Sequence, residues 1–244
     1  MAQEPIEPPS TGVRFPDPAR ARGRDVVAVG TDYRPGTILQ AYRLGIFPWP
    51  QEEDVVGWFS PDPRAVLPLE TLHWSRSLRR TLRRHPFRIT FDEAFRRTMQ
   101  ACGEQREGGT WITRGMLEGY EELHRLGWAH SVEVWERRTL ERSERSGSNE
   151  NEESDELVGG IYGIAIGAAF AGESMFHRRT DASKIAFATL AERLRDGGYE
   201  LFDVQVMTSH LASLGCVEMR RAEYLRRLAR AIAKRPAKPI AAWA

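Results

Sequence analysis

The sequence predicts a mixed fold of strands and helices (α/β or α+β). This prediction is based on the order of elements in the second half of the chain. Two glycine-punctuated apolar segments, 157–167 and 169–176, have the composition of strands joined by a tight turn at Gly167. A helical pattern and then a third apolar run, 201–206, follow them. Because a helix connects the second and third strands, we expect these two strands to lie parallel.

The helix between these two strands has an apolar face and recognisable ends. Asp181 or Ser183 is expected to cap its start, and Gly197 with Gly198 to end it. A shorter helix follows the third strand and is closed by Gly215. The face that the longer helix buries is formed by Phe187, Leu190, Ala191 and Leu194.

The first half combines regular elements with polar or aromatic segments. Residues 35–44 and 113–126 predict helices, whereas the tract 46–63 is rich in Trp and Pro and predicts rigid irregular structure. Residues 1–25 are rich in Pro, Glu and Arg and predict a mobile N-terminal arm. Residues 137–156 contain almost no apolar residue between two predicted strands, which indicates a flexible insertion in a hairpin.

The composition argues against several protein classes. Hydrophobic residues make up 41% of 244 residues, enough for a core, and no apolar stretch approaches the ~20 residues of a membrane helix. The Pro- and Glu-rich start does not have the pattern of a signal peptide. Cys102 and Cys216 are isolated and the six histidines show no ligand spacing, so we expect no metal site. Isolated cysteines fit a reducing, cytoplasmic setting.

Positive charge is concentrated in one segment, although the net charge of the chain is only +1. Residues 72–91 contain no acidic residue. On a helix there, one face is formed by Arg76, Arg79, Arg80 and Arg83, and Arg84 follows them. We interpret this face as a contact surface for a nucleic-acid backbone, and a merely solvated basic helix is the alternative.

Two polar side chains interrupt the third apolar strand. Asp203 and Gln205 are two residues apart, so in a regular strand they point to the same face. A buried carboxylate without a partner is costly, so the pair indicates either a satisfied polar network or a functional site. Glu173 falls at the end of the preceding strand beside Gly172, where a polar side chain can face a cleft.

Seven short segments carry a resemblance to a known family. In the second half they are GESMF at 172–176, ASK at 182–184, DVQ at 203–205 and HLASLG at 210–215. In the first half they are AYRLGIFPW at 41–49, WFSPDPR at 58–64 and GTWIT at 109–113. In their order along the chain, the seven segments resemble those of the leucyl/phenylalanyl-tRNA–protein transferase family, and the resemblance covers about residues 25–224.

The resemblance implies a fold and a domain arrangement. It predicts a small N-terminal domain over 26–63 and, over 64–244, a catalytic core similar to the GCN5-related N-acetyltransferase fold. In acyl-CoA enzymes of that fold, a glycine-rich loop opens the central helix and binds pyrophosphate. The corresponding segment here, 176–184, contains no glycine, so coenzyme A binding is disfavoured.

The resemblance also implies an activity. It is the transfer of Leu or Phe, and less well Met, from aminoacyl-tRNA to the N-terminal Arg or Lys of an acceptor protein, which marks that protein for degradation by the N-end rule pathway. Because an aminoacyl ester is already activated, the chemistry requires no ATP, metal or cofactor. A cytoplasmic monomer without membrane contact is expected.

Site residues follow from the same resemblance. Asp203 and Gln205 are the expected proton relay, in which Asp203 orients the Gln205 amide, and changing either is expected to impair transfer while leaving the fold intact. Glu173 matches a position near the acceptor peptide, where a carboxylate favours a cationic substrate. The other expected substrate contacts are Trp49 and Trp111 near the aminoacyl-adenosine end, Met175, Phe176 and Val206 as candidates for an apolar pocket, and Thr208, at which this sequence departs from the family pattern. The expected tRNA contacts are Arg76, Arg79, Arg80, Arg83 and Arg84.

Two other functions stay open on the sequence. One is an acyl-CoA-dependent N-acyltransferase on the same core, against which the missing glycine-rich loop argues. The other is a non-catalytic tRNA-binding module, for which the arginine face would suffice. That second alternative leaves the Asp203–Gln205 pair and Glu173 unexplained.

Overall fold

A computed structural model describes residues 4–21, 23–52, 55–72, 74–84, 87–104, 112–139 and 153–243. Within these ranges the chain folds into two β-sheets and seven α-helices. The helices are α1 (Pro35–Arg43), α2 (Arg76–Arg84), α3 (Phe95–Glu104), α4 (Arg114–Arg125), α5 (Ala182–Gly197), α6 (Ser209–Ser213) and α7 (Arg221–Ile232). The strands are β1 (Val26–Gly30), β2 (Phe47–Glu52), β3 (Val55–Phe59), β4 (Arg64–Leu67), β5 (Arg88–Phe91), β6 (Ala129–Thr139), β7 (Glu153–Ile166), β8 (Ala169–His177), β9 (Leu201–Gln205) and β10 (Val217–Met219).

The first sheet is small and contains β1, β3 and β2 in that order. It forms the N-terminal unit together with α1, which stops before Gly45 as the sequence predicts. The expectation of irregular structure over 46–63 is wrong, because β2 and β3 form an antiparallel hairpin there. β2 is an edge strand, and an edge tolerates Pro48 and Pro50 since its outer N–H groups have no partner strand.

The second sheet has seven strands in the order β10-β4-β9-β8-β7-β6-β5. Among these described strands, β8 and β9 form the one parallel pair, and the other neighbours are antiparallel. The connecting helix α5 ends at Gly198, whose φ of 82° is left-handed. The predicted parallel pair and the mixed α/β fold class are therefore confirmed.

The parallel strands β8 and β9 pair over a short distance. Their backbone pairing is confined to residues 169–171 of β8 and 201–203 of β9. Beyond this point β8 continues to His177, whereas β9 ends at Gln205. The sheet therefore opens at the level of Glu173 and Gln205, in the middle of the strand order.

Helices cover both faces of the second sheet. On one face α5 buries Phe187 and Leu190 in a core shared with β6 and β7, as the sequence predicts. On the other face α3 and α4 form a second core, to which α1 contributes Ile38 and α4 contributes Met116. Because α1 shares this core, the N-terminal unit over 26–63 packs as part of one body with the larger sheet.

Residues 4–21 lie along this body. The backbone of Ile6 hydrogen-bonds to Leu126 (N···O 2.8 Å), and the Phe15 ring packs on Trp58 with centroids 4.8 Å apart. The mobility expected of this arm stays a prediction, while residues 4–21 contact the rest of the chain. Ion pairs of Glu7 with Arg43 and of Glu4 with Arg235 also connect the segment to the rest of the chain, and its average composition does not reveal these contacts.

The hairpin formed by β6 and β7 is longer than the sequence predicts. The two strands stay paired up to Thr139 and Glu153. The ends of the expected flexible insertion, 137–156, therefore belong to strands, because backbone pairing does not require apolar side chains. The central part of that insertion, 140–152, lies outside the described residues.

Candidate active site

Asp203 of β9 forms a buried ion pair with Arg64 of β4. Arg64 donates two hydrogen bonds to the carboxylate, from Nε at 2.8 Å and from Nη2 at 2.6 Å. The Tyr224 hydroxyl donates to Oδ2 at 2.9 Å, and the backbone N–H of Gln205 donates to Oδ1 at 2.9 Å. Each carboxylate oxygen of Asp203 thus accepts two hydrogen bonds, which is about its full capacity.

The packing around Arg64 keeps this ion pair in place. The guanidinium lies between the rings of Phe47 and Tyr224, at 4.7 and 4.5 Å from their centroids, and its Nη1 donates to the Gly45 carbonyl at 3.2 Å. Burial on its own lowers the pKa of Arg64, but the adjacent Asp203 carboxylate raises it beyond its usual range. Arg64 therefore stays charged and links β4, β9, α7 and the start of β2.

Gln205 ends β9 in an unusual backbone conformation. Its φ is 65°, in the left-handed region that a residue with a side chain rarely adopts. Its side-chain nitrogen Nε2 donates to Glu173 Oε1 at 2.8 Å. Gln205 is 5% exposed, and among the described residues no donor hydrogen-bonds to its side-chain oxygen.

Glu173 of β8 is the second carboxyl of the site, and it is partly buried. Besides the bond from Gln205, its Oε2 accepts a hydrogen bond from the Tyr120 hydroxyl at 3.0 Å. The hydroxyls of Tyr42 and Tyr120 lie 2.8 Å apart. Burial raises the pKa of Glu173 to about 7, although the hydroxyls of Tyr42 and Tyr120 oppose this rise. The carboxyl therefore changes protonation near neutral pH.

The structure brings Asp203, Gln205 and Glu173 together, but it changes one expected contact. The sequence predicts that Asp203 orients the Gln205 amide, whereas Asp203 holds the Gln205 backbone and Glu173 holds the amide. The reason is the left-handed backbone at Gln205, which breaks the two-residue alternation of a regular strand.

Three residues of this network, Arg64, Tyr42 and Tyr120, have no role predicted from the sequence. Arg64 opens the apolar strand β4, and a buried carboxylate nearby needs a cation, so its charge was a usable signal. Tyr42 and Tyr120 are buried on α1 and α4. Their pairing with Glu173 could not be predicted because α1, α4 and β8 are far apart along the chain.

The residues expected to form an apolar substrate pocket differ in exposure. Met175 is partly buried against the core beneath α5, and Val206 is 46% exposed. Phe176 is fully buried in the other core, so the structure corrects it from a pocket wall to a core residue. Its place follows from strand alternation, since it points to the face opposite Met175.

The remaining expected substrate contacts also have defined positions. The Thr208 hydroxyl accepts the backbone N–H of Leu211 at 3.1 Å and caps α6. Trp49 lies in β2, half-buried against the core that α1 and α4 share. Trp111 lies outside the described residues.

The arginine face lies on α2, where Leu78 anchors the helix to the core. Its five arginines are exposed, and none is paired with a carboxylate among the described residues. Several arginines elsewhere, such as Arg96 and Arg125, do have acidic partners. The unpaired charges on α2 are Arg76, Arg79, Arg80, Arg83 and Arg84.

The described residues include neither a metal-type cluster nor a helix suited to crossing a membrane. They contain no group of three or more His, Cys, Asp or Glu side chains arranged to hold a metal ion. No helix in the described ranges has both the length and the apolar character needed to cross a membrane.

Comparisons with known proteins match almost the whole chain. The family model described as leucyl/phenylalanyl-tRNA protein transferase matches residues 66–229, and the model of the N-terminal domain of that transferase matches residues 31–62. A leucyl/phenylalanyl-tRNA–protein transferase from Anaeromyxobacter sp. (strain K) is 50% identical over 221 residues, which cover 89% of this chain and 88% of the relative.

Two more comparisons complete these findings. The Myxococcus xanthus (strain DK1622) protein of the same name is 48% identical over 89% of this chain and 87% of its own length. Among solved structures, L-PGS from Bacillus licheniformis is similar with a TM-score of 0.39 and 12% identity, over 71% of this chain and 66% of that one. The matches to both family models and to relatives at this identity show that the chain belongs to the leucyl/phenylalanyl-tRNA–protein transferase family.

Proposed function

We propose that this protein transfers Leu or Phe, and less well Met, from aminoacyl-tRNA to the N-terminal Arg or Lys of acceptor proteins. One observation supports a reaction centre at the sheet opening: the Gln205 amide is fixed through its nitrogen while its oxygen has no donor among the described residues. That oxygen can accept a hydrogen bond from an attacking amine. Fixing the amine beside the ester is the main demand of this reaction.

The chemistry needs little further activation. The aminoacyl ester is already reactive, and an α-amine with a pKa of about 7.7 is partly neutral at pH 7. The reaction therefore proceeds without a metal or a cofactor in this proposal. The acceptor amine attacks the ester carbonyl, and the ribose oxygen leaves.

We assign the two ends of aminoacyl-tRNA to different surfaces. Met175 and Val206 contribute apolar surface for the Leu or Phe side chain, and Trp49 and Trp111 contact the terminal adenosine. The exposed arginines of α2 contact the phosphate backbone, because they lack carboxylate partners among the described residues. The protein works as a monomer in the cytoplasm, where aminoacyl-tRNA is made, and its products enter the N-end rule pathway.

The test is a transfer assay in which the donor is tRNA charged with labelled leucine and the acceptor is a peptide that starts with Arg. Label should appear on the peptide, and a matched peptide with an acetylated N-terminus should stay unlabelled. Transfer from leucyl-CoA in place of the tRNA would instead support an acyl-CoA enzyme. Tight binding of the tRNA without any transfer would support a non-catalytic tRNA-binding module.

A further inference from the structure

The amine that attacks the ester must lose a proton, and Asp203 is poorly placed to receive it. Arg64, Tyr224 and the Gln205 backbone already donate four hydrogen bonds to its two oxygens. Asp203 is only 2% exposed. A new proton on this carboxylate would displace a donor and leave the Arg64 charge without its partner, which is costly in a buried site.

Glu173 is placed differently, at the opening between β8 and β9. Gln205 and Tyr120 donate hydrogen bonds to its two oxygens, and the Tyr42 hydroxyl also hydrogen-bonds to the carboxyl. A carboxylate has about four acceptor positions, so about one remains free. Gln205 donates to Glu173 through the same planar amide whose oxygen is available to the amine. An amine on that oxygen is therefore within reach of Glu173, directly or through one water.

We propose that the Glu173 carboxylate receives the proton of the attacking amine, and that Tyr120 is the positioning residue that holds it. This inference rests on the function proposed above. It gives Glu173 a catalytic role in place of the recognition of a cationic acceptor side chain.

The electron pairs and the proton move in two stages. The lone pair of the amine forms a bond to the ester carbonyl carbon, and the carbonyl π electrons move to its oxygen. One N–H proton passes to Glu173. The oxyanion then collapses, the bond to the ribose oxygen breaks, and the proton on Glu173 passes to that oxygen. The products are an amide and the free ribose hydroxyl, and Glu173 is again a carboxylate.

The surroundings of Glu173 suit a group that gains and loses a proton near neutral pH. Its pKa of about 7 lies close to that of an α-amine. Burial raises the pKa of Tyr120 well above its usual range, so that this hydroxyl stays protonated and donates to Glu173. The titratable and charged groups that face Glu173 are Tyr42, Tyr120, Tyr162, Tyr224, Arg64 and Asp203.

The first experiment separates proton transfer from acceptor recognition. Glu173→Gln is compared with the unchanged protein on peptides that start with Arg or with citrulline, the neutral isostere of Arg. We expect kcat to fall by about 10²-fold for both peptides. The preference for Arg over citrulline, measured as the ratio of the two kcat/KM values, should be the same as in the unchanged protein. A kcat that persists at saturating peptide, together with loss of the preference for Arg, would overturn the proposal in favour of acceptor recognition.

The second experiment reads the protonation of Glu173 directly. Because the Tyr120 hydroxyl lowers the pKa of Glu173, Tyr120→Phe should raise that pKa and move the acidic limb of the kcat/KM profile up by about one pH unit. The same peptide is used throughout, so the titration of its amine is constant. Tyr162→Phe is the matched control, since this buried hydroxyl has no hydrogen-bond partner among the described residues.

The outcomes also separate this inference from the function on which it rests. An unchanged protein that transfers no leucine would refute the proposed function. If the unchanged protein is active but the acidic limb of the kcat/KM profile is the same in Tyr120→Phe and Tyr162→Phe, the role of Glu173 is refuted and the proposed function is not. Thermal unfolding of each variant shows whether a rate change has a structural origin.

Discussion

The side chains of Gln205 and Glu173 are joined by a 2.8 Å hydrogen bond at the point where β8 and β9 have stopped pairing. The bond depends on the left-handed backbone of Gln205, which the Asp203 carboxylate stabilises by accepting its N–H. Two carboxyl groups therefore fix one residue: Asp203 accepts the backbone N–H of Gln205, and Glu173 accepts its side-chain amide N–H.

Replacing Gln205 by glycine should separate catalysis from backbone strain. Glycine adopts a φ of 65° without steric cost, so the free energy of unfolding should stay within about 1 kcal/mol of the unchanged protein. Leucine transfer should fall by about 10²-fold because the amide is lost. Urea unfolding and the transfer assay measure the two quantities. Near-normal turnover in this variant would remove Gln205 from the reaction.

The Arg64–Asp203 ion pair should contribute to stability as well as to the site. Asp203→Ala leaves a buried guanidinium without its carboxylate and should lower the free energy of unfolding by about 3–5 kcal/mol. This prediction differs from the sequence-based expectation that changes at Asp203 leave the fold intact, and the unfolding measurement decides between them. The double variant Arg64→Met with Asp203→Leu should lose less free energy of unfolding than the sum of the losses in Arg64→Met alone and Asp203→Leu alone. Urea unfolding of the three variants measures these losses. Additive losses would mean that the pair is not coupled.

Changing Arg76, Arg79, Arg80 and Arg83 together to Gln should weaken tRNA binding without lowering kcat at saturating tRNA. Each lost phosphate contact should reduce the slope of log affinity against log salt concentration by about 0.7–0.9. The matched control changes four arginines that already have acidic neighbours, Arg96, Arg114, Arg125 and Arg195. Equal slopes for the two variants would show that net charge, and not the α2 face, determines binding.

Thr208→Ala tests whether this residue caps a helix or contacts substrate. Loss of the hydroxyl that accepts the Leu211 N–H should lower the free energy of unfolding by about 1 kcal/mol, with KM for leucyl-tRNA unchanged. Thr208→Ser keeps the hydroxyl and should restore the stability. A raised KM in Thr208→Ala, without a loss of stability, would indicate a substrate contact instead.

Local patterns predicted most of the helices. The ends of α1, α4 and α5 follow from Gly45, Gly127 and Gly198, each of which has a positive φ just past its helix. Periodic apolar residues predicted their buried faces, because a helix repeats its orientation over short distances along the chain. The hairpin of β2 and β3 was missed because prolines indicate a break unless the strand lies at a sheet edge.

The sequence by itself determined the family, the α5 crossover between two parallel strands and the positions of Asp203, Gln205 and Glu173 along the chain. These follow from local composition and from short motifs in a fixed order. Only the tertiary structure decided which groups these residues bind: Arg64 for Asp203, and Tyr120 with Gln205 for Glu173. Such partners are 139, 53 and 32 residues apart, and no local pattern constrains a contact that forms only when distant strands and helices pack together.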